Sequence, residues 1–285
     1  MTVTLPAIAV LGAGSMGAAI VHGLLKRNVE VVGGIRVTNR TEAKAAVLRT
    51  SGVVSLASES DPQANRIAVD GARIVLVAVK PALVAGVLKE VADALPHDAI
   101  VVSVAAGVTT ETMQSLLPAS VAAVRIMSNT PTGVGLGVTA IAGGSRATRD
   151  DVDLVSQVFA AVGEVILLPE DKLDAVTALS GTGPAYVYYV IESFTKTAIS
   201  MGFTAAEAEK LVIGTFRGAV ELLRVSGLSP EELRRQVTSP GGTTERAIAS
   251  LEESHLKDVF SDAIAAAAAR SRELASGNDA TSSAG

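Results

Sequence analysis

The chain contains no cysteine. Without cysteine there can be no disulfide, no thiolate nucleophile and no cysteine-ligated metal. Only three histidines are present, His22, His97 and His255, and none of them is spaced as one of a pair of metal ligands. We therefore expect no metal site, and we expect chemistry that proceeds without a thiol or an imidazole.

Aromatic residues and positive charge are also scarce. Phe, Trp and Tyr make up 3% of the chain, and 24 Lys and Arg are outnumbered by 29 Asp and Glu, which gives a net charge of −5. Nucleic-acid-binding surfaces need basic stripes, and single strands need aromatic stacking platforms. We expect no nucleic-acid partner. A chain of 285 residues is long enough for one or two domains with a sizeable core.

Residues 5–25 carry no charged side chain, a pattern that also occurs in signal peptides and membrane spans. No basic segment precedes this stretch, and four glycines interrupt it at positions 12, 14, 17 and 23. We therefore expect no membrane partner and a cytoplasmic location.

The same stretch contains the most informative motif of the sequence. The apolar run Ile8–Leu11 leads into three spaced glycines and then into a helical pattern, which predicts a strand, a turn and a helix that hold a pyrophosphate. Gly12 would make the turn, Gly14 would admit the phosphates, and Gly17 would let helix and strand pack closely. Glycines used only for turns and packing are the alternative. The predicted dinucleotide-binding residues here are Gly12, Ala13, Gly14, Ser15, Met16 and Gly17.

Short apolar runs alternate with helical patterns up to about residue 165, which predicts a doubly wound parallel α/β sheet with right-handed crossovers. From about residue 171 to 275 the pattern is helical throughout. We expect a dinucleotide-binding domain at 1–168, an all-α domain at 169–275 and a disordered tail at 276–285. The predicted strands are 7–11, 34–38, 73–78, 99–104, 121–126, 137–142 and 164–168.

The helical half contains clear helix boundaries. Residues 204–207 read as a capping box, Pro230 follows an N-cap serine, and residues 180–184 interrupt a long helical pattern. The helix after that interruption is apolar on more than one face, and such helices are usually buried. Either the same chain or a second subunit could cover it; we favour a helical dimer.

The end of the second strand indicates which dinucleotide is bound. An NAD enzyme would place Asp or Glu about twenty residues past the glycines, on the ribose 2′-hydroxyl. The sequence has Asn39, Arg40 and Thr41 there, and Arg40 can pair with a 2′-phosphate. We expect NADP(H), with NAD(H) as an alternative cofactor. A solvated strand end without a binding role would give the same residues.

Two further strand ends would line the same crevice, because ligands bind at the carboxyl ends of the strands in open α/β sheets. The first carries a lysine followed by a proline, and the second carries small residues that leave room for a nicotinamide. The predicted contacts are Ala78, Val79, Lys80, Pro81, Ala105 and Ala106.

Three segments make the prediction of function more specific: 125–131 (RIMSNTP), 180–186 (SGTGPAY) and 237–248 (VTSPGGTTERAI). With the glycine turn they resemble the pyrroline-5-carboxylate reductase family over residues 7–272. The resemblance implies a Rossmann domain, an interlocking helical dimerisation domain and assembly of such dimers into a decamer. It also implies that Asn65 touches the cofactor. The family usually has proline where Ser128 stands.

The resemblance further implies NAD(P)H-dependent reduction of the C=N bond of 1-pyrroline-5-carboxylate to L-proline, the last step of proline biosynthesis. The substrate carboxylate needs an anion site, which a glycine-rich loop opening a helix can supply. The predicted substrate contacts are Ser239, Gly241, Gly242, Thr243 and Thr244. Thr244 would hydrogen-bond the imine nitrogen, and Thr244 and Lys80 are the catalytic candidates. A plain helix cap is the alternative reading of this loop.

Two other functions fit parts of the sequence. A β-hydroxyacid dehydrogenase shares the glycine turn and a helical second domain, but it carries a catalytic Lys with a nearby Asn on the interdomain helix. Residues 172–179 lack that Asn. A non-catalytic NADP(H)-sensing protein would keep the glycines without needing the 239–244 loop.

Overall fold

The structure is a computed structural model that describes residues 2–26, 28–50 and 52–275. The described residues divide into two compact units: those of 2–182 together with 267–275, and those of 183–266. The predicted tail at 276–285 lies outside the described residues. The strands are β1 (Val3–Leu5), β2 (Ile8–Leu11), β3 (Val29–Val31), β4 (Ile35–Asn39), β5 (Val53–Ala57), β6 (Ile74–Val77), β7 (Ile100–Ser103), β8 (Ala122–Met127), β9 (Gly137–Gly143) and β10 (Gly163–Leu167).

Helices follow most of the strands and continue to the end of the described chain. They are α1 (Ser15–Leu24), α2 (Glu42–Val47), α3 (Ala64–Val69), α4 (Pro81–Val91), α5 (Thr110–Leu116), α6 (Arg149–Ala160), α7 (Leu173–Val176), α8 (Gly183–Ser200), α9 (Ala205–Ser226), α10 (Pro230–Gln236), α11 (Thr243–Glu253) and α12 (Leu256–Ala275). No helix within the described residues is long and apolar enough to span a membrane.

Eight strands form one sheet in the order β10-β9-β8-β7-β6-β2-β4-β5. All seven predicted strands are confirmed, whereas β1, β3 and β5 were not predicted. The expectation of a wholly parallel sheet is wrong at one pair, because β8 and β9 run antiparallel. Only residues 128–136 connect these two strands, and a parallel pair would need a longer crossover.

The sheet is covered on both faces by apolar helix residues. Side chains of α1 and α6 pack on one face together with Ile8 and Val10, and side chains of α3, α4 and α5 pack on the other together with Ala9 and Leu11. Strands buried on both faces explain the unbroken apolar runs of β2 and β6 in the sequence.

The start of α6 is held by a capping box and an ion pair. The Thr148 hydroxyl accepts the Asp151 N–H at 3.2 Å, and the Asp151 carboxylate accepts the Thr148 N–H at 3.0 Å and an Arg73 N–H at 2.7 Å. Partial burial raises the pKa of the Asp151 carboxyl, but the hydrogen bonds from Arg73 and Thr148 lower it by more, so the net pKa is lowered. Asp151 therefore stabilises the fold when it is ionised.

We expect Asp151→Asn to lower the free energy of unfolding by about 1–2 kcal/mol at neutral pH, since a cap and a partly buried ion pair are both weakened. Because the pKa is lowered in the folded state, this contribution is fully present above the ordinary aspartate pKa and is lost as the pH falls from there through the lowered folded-state pKa. Urea unfolding measured across pH should thus show that the free energies of unfolding of the wild type and of Asp151→Asn converge in acid. Asp153→Asn, an exposed change on the same helix, is the control. A difference in free energy of unfolding between the wild type and Asp151→Asn that does not change with pH would contradict the stabilising role of the ionised Asp151.

The second compact unit is helical, and two of its helices begin where the sequence predicts. Thr204 and Ser229 each form a capping box, with Glu207 and Glu232 respectively. The interruption predicted at 180–184 overlaps a π-helical turn at Thr177–Gly181, just before the unit begins. Because Pro184 has no N–H to donate and its ring crowds the preceding turn, an α-helix cannot run through this segment unchanged.

Candidate functional site

The glycine turn has the geometry that its spacing predicts. Gly12 has φ +80°, and a Cβ added there would lie 2.3 Å from Val79 Cγ1. A Cβ added to Gly17 would lie 3.3 Å from both Val10 Cγ1 and Ala78 Cβ. Gly12 is therefore required by the turn, and Gly17 lets α1 pack closely against the ends of β2 and β6.

The N-terminus of α1 is open to an anion. Gly14 is the N-cap, no side chain caps the helix, and no acidic residue lies in its first turn. A Cβ added to Gly14 would meet nothing within 4 Å, so its backbone faces open space. First-turn N–H groups have no partner within the helix and carry its positive dipole end. A groove of about 260 Å³ adjoins this turn and is lined by Ala13, Gly14, Ser15, Ala18, His22, Lys44, Val47 and Leu48.

The neighbouring strand ends complete this edge of the sheet. Ala78, at the end of β6, donates its N–H to Leu11 at 2.8 Å, which brings residues 78–81 beside the glycine turn. Lys80 is exposed as the N-cap of α4, and Pro81 is the first residue of that helix. Ala105 is buried after β7 and donates its N–H to Ser103 Oγ at 3.2 Å, and Ala106 follows it.

The end of β4 carries the predicted 2′-phosphate residues. Arg40 is exposed, and Thr41 is the N-cap of α2 without a side-chain hydrogen bond. Asn39 is buried, and its Nδ2 has no hydrogen-bond partner among the described residues. These three residues adjoin the turn, since the N–H groups of Gly12 and Ala13 both donate to the Thr38 carbonyl.

Asn65 is the predicted cofactor residue that the structure does not bring to this edge. Its side-chain amide donates to Glu90 Oε2 at 3.0 Å. Glu90 lies next to the last residue of α4, whereas Lys80 lies at the start of that helix. At 1.5 Å of rise per residue, the two positions are roughly 15 Å apart along the helix. A role for Asn65 at the cofactor remains a prediction.

Sequence reasoning assigned no role to the polar residues that follow β8. Ser128 is buried, and its hydroxyl hydrogen-bonds Thr132 Oγ1 at 3.0 Å and Thr139 Oγ1 at 2.8 Å. These bonds tie the end of β8 to the following 3₁₀ turn and to β9. They hold in place a segment where the resemblance leads one to expect proline.

Asn129, the next residue, joins this edge to the π-helical turn. Its Nδ2 donates to the Ser180 carbonyl at 3.2 Å, and its Oδ1 accepts the Val138 N–H at 2.9 Å. The signal that could have found it was a polar Ser-Asn-Thr string directly after a buried strand, at the edge where ligands bind.

A charged cluster anchors the segment before that turn. Arg125 is buried on β8 and donates to Asp174 Oδ1 at 2.7 Å, with Glu170 Oε1 at 3.7 Å. Glu170 in turn accepts the Thr110 N–H at 2.8 Å. Residues 170–181 are thus held on the sheet, which explains why the first compact unit extends beyond residue 168. The predicted domain boundary at 168/169 remains a prediction.

The predicted substrate loop lies in the second compact unit. It leads into α11, whose N-cap is Gly242 without a side-chain cap, so the first-turn N–H groups of Thr243 and Thr244 have no partner within the helix. Gly241 has φ +71°, and a Cβ on Gly242 would lie 2.5 Å from Ser239 Oγ. The Gly242 N–H donates to the Ser239 carbonyl at 3.0 Å. Both glycines are therefore needed for this tight turn.

One acid belongs to the same loop. Glu245, in the first turn of α11, accepts the Gly241 N–H at 2.7 Å and so steadies the loop from its helical side. The loop is largely exposed, with Thr244 half-buried. An open helix N-terminus with adjacent hydroxyls can bind a small carboxylate.

Apolar side chains of the second unit are widely exposed. Tyr189 on α8 is 72% exposed and Val220 on α9 is 65% exposed, and α8 has no buried residue. Phe194 and Phe216 form an edge-to-face pair with ring centroids 5.5 Å apart, which joins α8 to α9. Exposed apolar patches on this scale are typical of interaction surfaces.

Each half of the chain matches the profile of a known protein family. Residues 170–274 match the family profile described as pyrroline-5-carboxylate reductase dimerisation. Residues 7–107 match the profile described as NADP oxidoreductase, coenzyme F420-dependent. The first match includes the 239–244 loop, and the second includes the glycine turn.

Individual relatives match over nearly the whole chain. A pyrroline-5-carboxylate reductase from Corynebacterium melassecola is 37% identical, with 94% of this chain and 98% of the relative covered. A solved structure of such a reductase from Coxiella burnetii is 34% identical, with a TM-score of 0.83 and coverage of 94% and 97%. The Plasmodium falciparum structure, solved with NADP bound, is 26% identical, with a TM-score of 0.81 and coverage of 94% and 97%.

Proposed function

Since the chain belongs to the pyrroline-5-carboxylate reductase family, we propose that it catalyses the NAD(P)H-dependent reduction of 1-pyrroline-5-carboxylate to L-proline, the last step of proline biosynthesis. The observation that carries this proposal is the presence of both a glycine turn and a Ser-Pro-Gly-Gly-Thr-Thr loop in one chain, 94% of which is covered by a match to such a reductase. A protein that only sensed NADP(H) would have no need of the loop.

The first unit binds the dinucleotide, and the residues present fit it. The N-terminus of α1 offers N–H groups to the pyrophosphate, and Gly14 leaves the space that a side chain would fill. Arg40 and Thr41, which follow β4 beside this turn, contact the adenosine ribose and its 2′-phosphate. Bound NADPH or NADH supplies the hydride. Ala78 to Pro81, Ala105 and Ala106 shape the crevice beside the turn.

The second unit binds the substrate. The N–H groups of Thr243 and Thr244 and the hydroxyls of Ser239 and Thr243 hold the carboxylate. Thr244 hydrogen-bonds the imine nitrogen and orients it. Because a protonated imine is already a good electrophile, a threonine hydroxyl suffices where a strong acid is absent. Most of the rate acceleration then comes from positioning the imine carbon.

The protein is a homo-oligomer built on the dimerisation domain that residues 170–274 match. A second subunit covers the exposed apolar faces of α8 and α9. We infer that these dimers intertwine and assemble further into a decamer in the cytoplasm. Analytical ultracentrifugation tests the assembly, since a species no larger than a dimer at all concentrations would exclude the decamer.

The proposed reaction is tested by following the oxidation of the nicotinamide cofactor by absorbance. The purified protein should oxidise NADPH, and more slowly NADH, only when 1-pyrroline-5-carboxylate is added, and L-proline should accumulate in equal amount. The oxidation of 3-hydroxyisobutyrate or 6-phosphogluconate with reduction of NADP⁺ would instead identify a β-hydroxyacid dehydrogenase. Cofactor binding without turnover of any of these substrates would contradict an enzymatic role.

A further inference from the structure

Glu59 brings an acidic residue to the end of β4, where the sequence itself has none. Backbone hydrogen bonding between β4 and β5 continues beyond the end of β5. The Ser58 N–H donates to the Asn39 carbonyl at 2.9 Å, and the Glu59 N–H donates to the Arg40 carbonyl at 3.1 Å. Glu59 therefore lies directly beside Arg40, although it follows a different strand.

The Glu59 carboxylate is turned toward the β4–α2 turn. Its Oε1 accepts the N–H of Glu42, the first residue of α2, at 2.6 Å. Both Glu59 and Arg40 are exposed. A fixed negative charge and an exposed positive charge thus share the turn that is expected to receive the adenosine ribose.

Two other charges near this turn, Glu42 and Arg49, pair with each other. Both oxygens of the Glu42 carboxylate accept hydrogen bonds from Arg49, and the second of these, to Nη2, is 3.0 Å long. The hydrogen bond from Arg49 lowers the pKa of Glu42. Arg49 is therefore matched by Glu42, and the charge of Glu59 is left to act on whatever binds beside Arg40.

We propose that Glu59 is a specificity-determining residue for the cofactor. A ribose 2′-hydroxyl can donate to its carboxylate, as it does to the acid of NAD enzymes. A 2′-phosphate meets the same carboxylate as a like charge and competes with it for the Glu42 N–H. Glu59 therefore favours NADH and Arg40 favours NADPH. The two residues together set the preference of the protein for one cofactor over the other. This inference rests on the proposed function, because it assumes the dinucleotide site at the glycine turn.

The test is Glu59→Gln, which removes the charge and keeps an oxygen that can accept the Glu42 N–H. We expect the ratio of kcat/KM with NADPH to kcat/KM with NADH to rise about five- to thirtyfold at low salt, the effect of one nearby surface charge, and the rise to shrink as salt screens it. Arg40→Gln should move the ratio in the opposite direction. Glu164→Gln, an exposed change on β10 at the opposite edge of the sheet, is the matched control and should leave the ratio unchanged.

Calorimetric titration with 2′,5′-ADP and 5′-AMP distinguishes failure of the Glu59 inference from failure of the proposed function, because binding of neither ligand requires turnover. Tighter 2′,5′-ADP and weaker 5′-AMP binding by Glu59→Gln supports the inference. If both ligands bind the wild-type protein and Glu59→Gln changes neither affinities nor kinetic ratio, the inference is overturned and the proposed function stands. If the wild-type protein binds neither ligand, the dinucleotide site is wrong and the inference falls with it.

Discussion

Replacing Thr244 with alanine will lower kcat/KM for 1-pyrroline-5-carboxylate by roughly ten- to a thousandfold, the scale of one lost transition-state hydrogen bond. Thr244 lies in the first turn of α11, a helix whose N-terminus has no side-chain cap. Since the expected role is to orient the imine nitrogen, the loss should fall mainly on kcat. Steady-state kinetics with saturating NADPH measure it.

Two further variants make this test specific. Thr244→Ser keeps the hydroxyl and should recover most of the activity. Thr112→Ala removes an exposed threonine from α5 and should leave the kinetics unchanged. Unfolding midpoints should agree among all four proteins. Activity of Thr244→Ala close to the wild-type value would remove Thr244 from the mechanism.

Changing the first two glycines of the turn to alanine will separate stability from cofactor binding. Gly12→Ala forces a side chain into φ +80° and places its Cβ 2.3 Å from Val79 Cγ1. We expect a loss of about 3 kcal/mol or more in the free energy of unfolding, from backbone strain and steric overlap together.

Gly14→Ala should behave differently. Gly14 has φ −70°, which alanine adopts freely, and its Cβ would meet nothing within 4 Å. Stability should therefore stay within about 0.5 kcal/mol of the wild-type value. The methyl group would occupy the space through which the backbone approaches the pyrophosphate, so NADPH affinity should fall at least about tenfold. Thermal unfolding and fluorescence titration with NADPH measure the two quantities; unchanged affinity would place the pyrophosphate elsewhere.

Local sequence patterns predicted the features that depend on neighbouring residues. The spacing of the glycines indicated a turn with one positive φ and one close helix–strand contact, and Gly12 and Gly17 have them. Thr204 with Glu207 indicated a capping box, which forms because all its partners lie within four residues. Residues 180–184 indicated an interruption of the helical pattern, and a π-helical turn at Thr177–Gly181 overlaps it.

The same patterns failed where partners are distant in sequence. β5 was missed because it carries a serine and alternates in burial, unlike the buried strands beside it. The antiparallel pairing of β9 was missed because apolar content predicts a strand but not its direction. Asn129 and Ser180 are separated along the chain by two α-helices, two 3₁₀ turns and two strands, and only folding joins them.

The sequence by itself determined the dinucleotide turn, the two kinds of secondary structure along the chain and the loop that opens α11, since each depends on residues a few positions apart. Only the tertiary structure decided which charges meet at the end of β4, beside that turn. In the sequence the end of β4 offers Arg40 and no acid. In the sheet β5 lies beside β4, and this pairing carries Glu59 to Arg40, because the order of strands in a sheet follows packing and not the order of the chain.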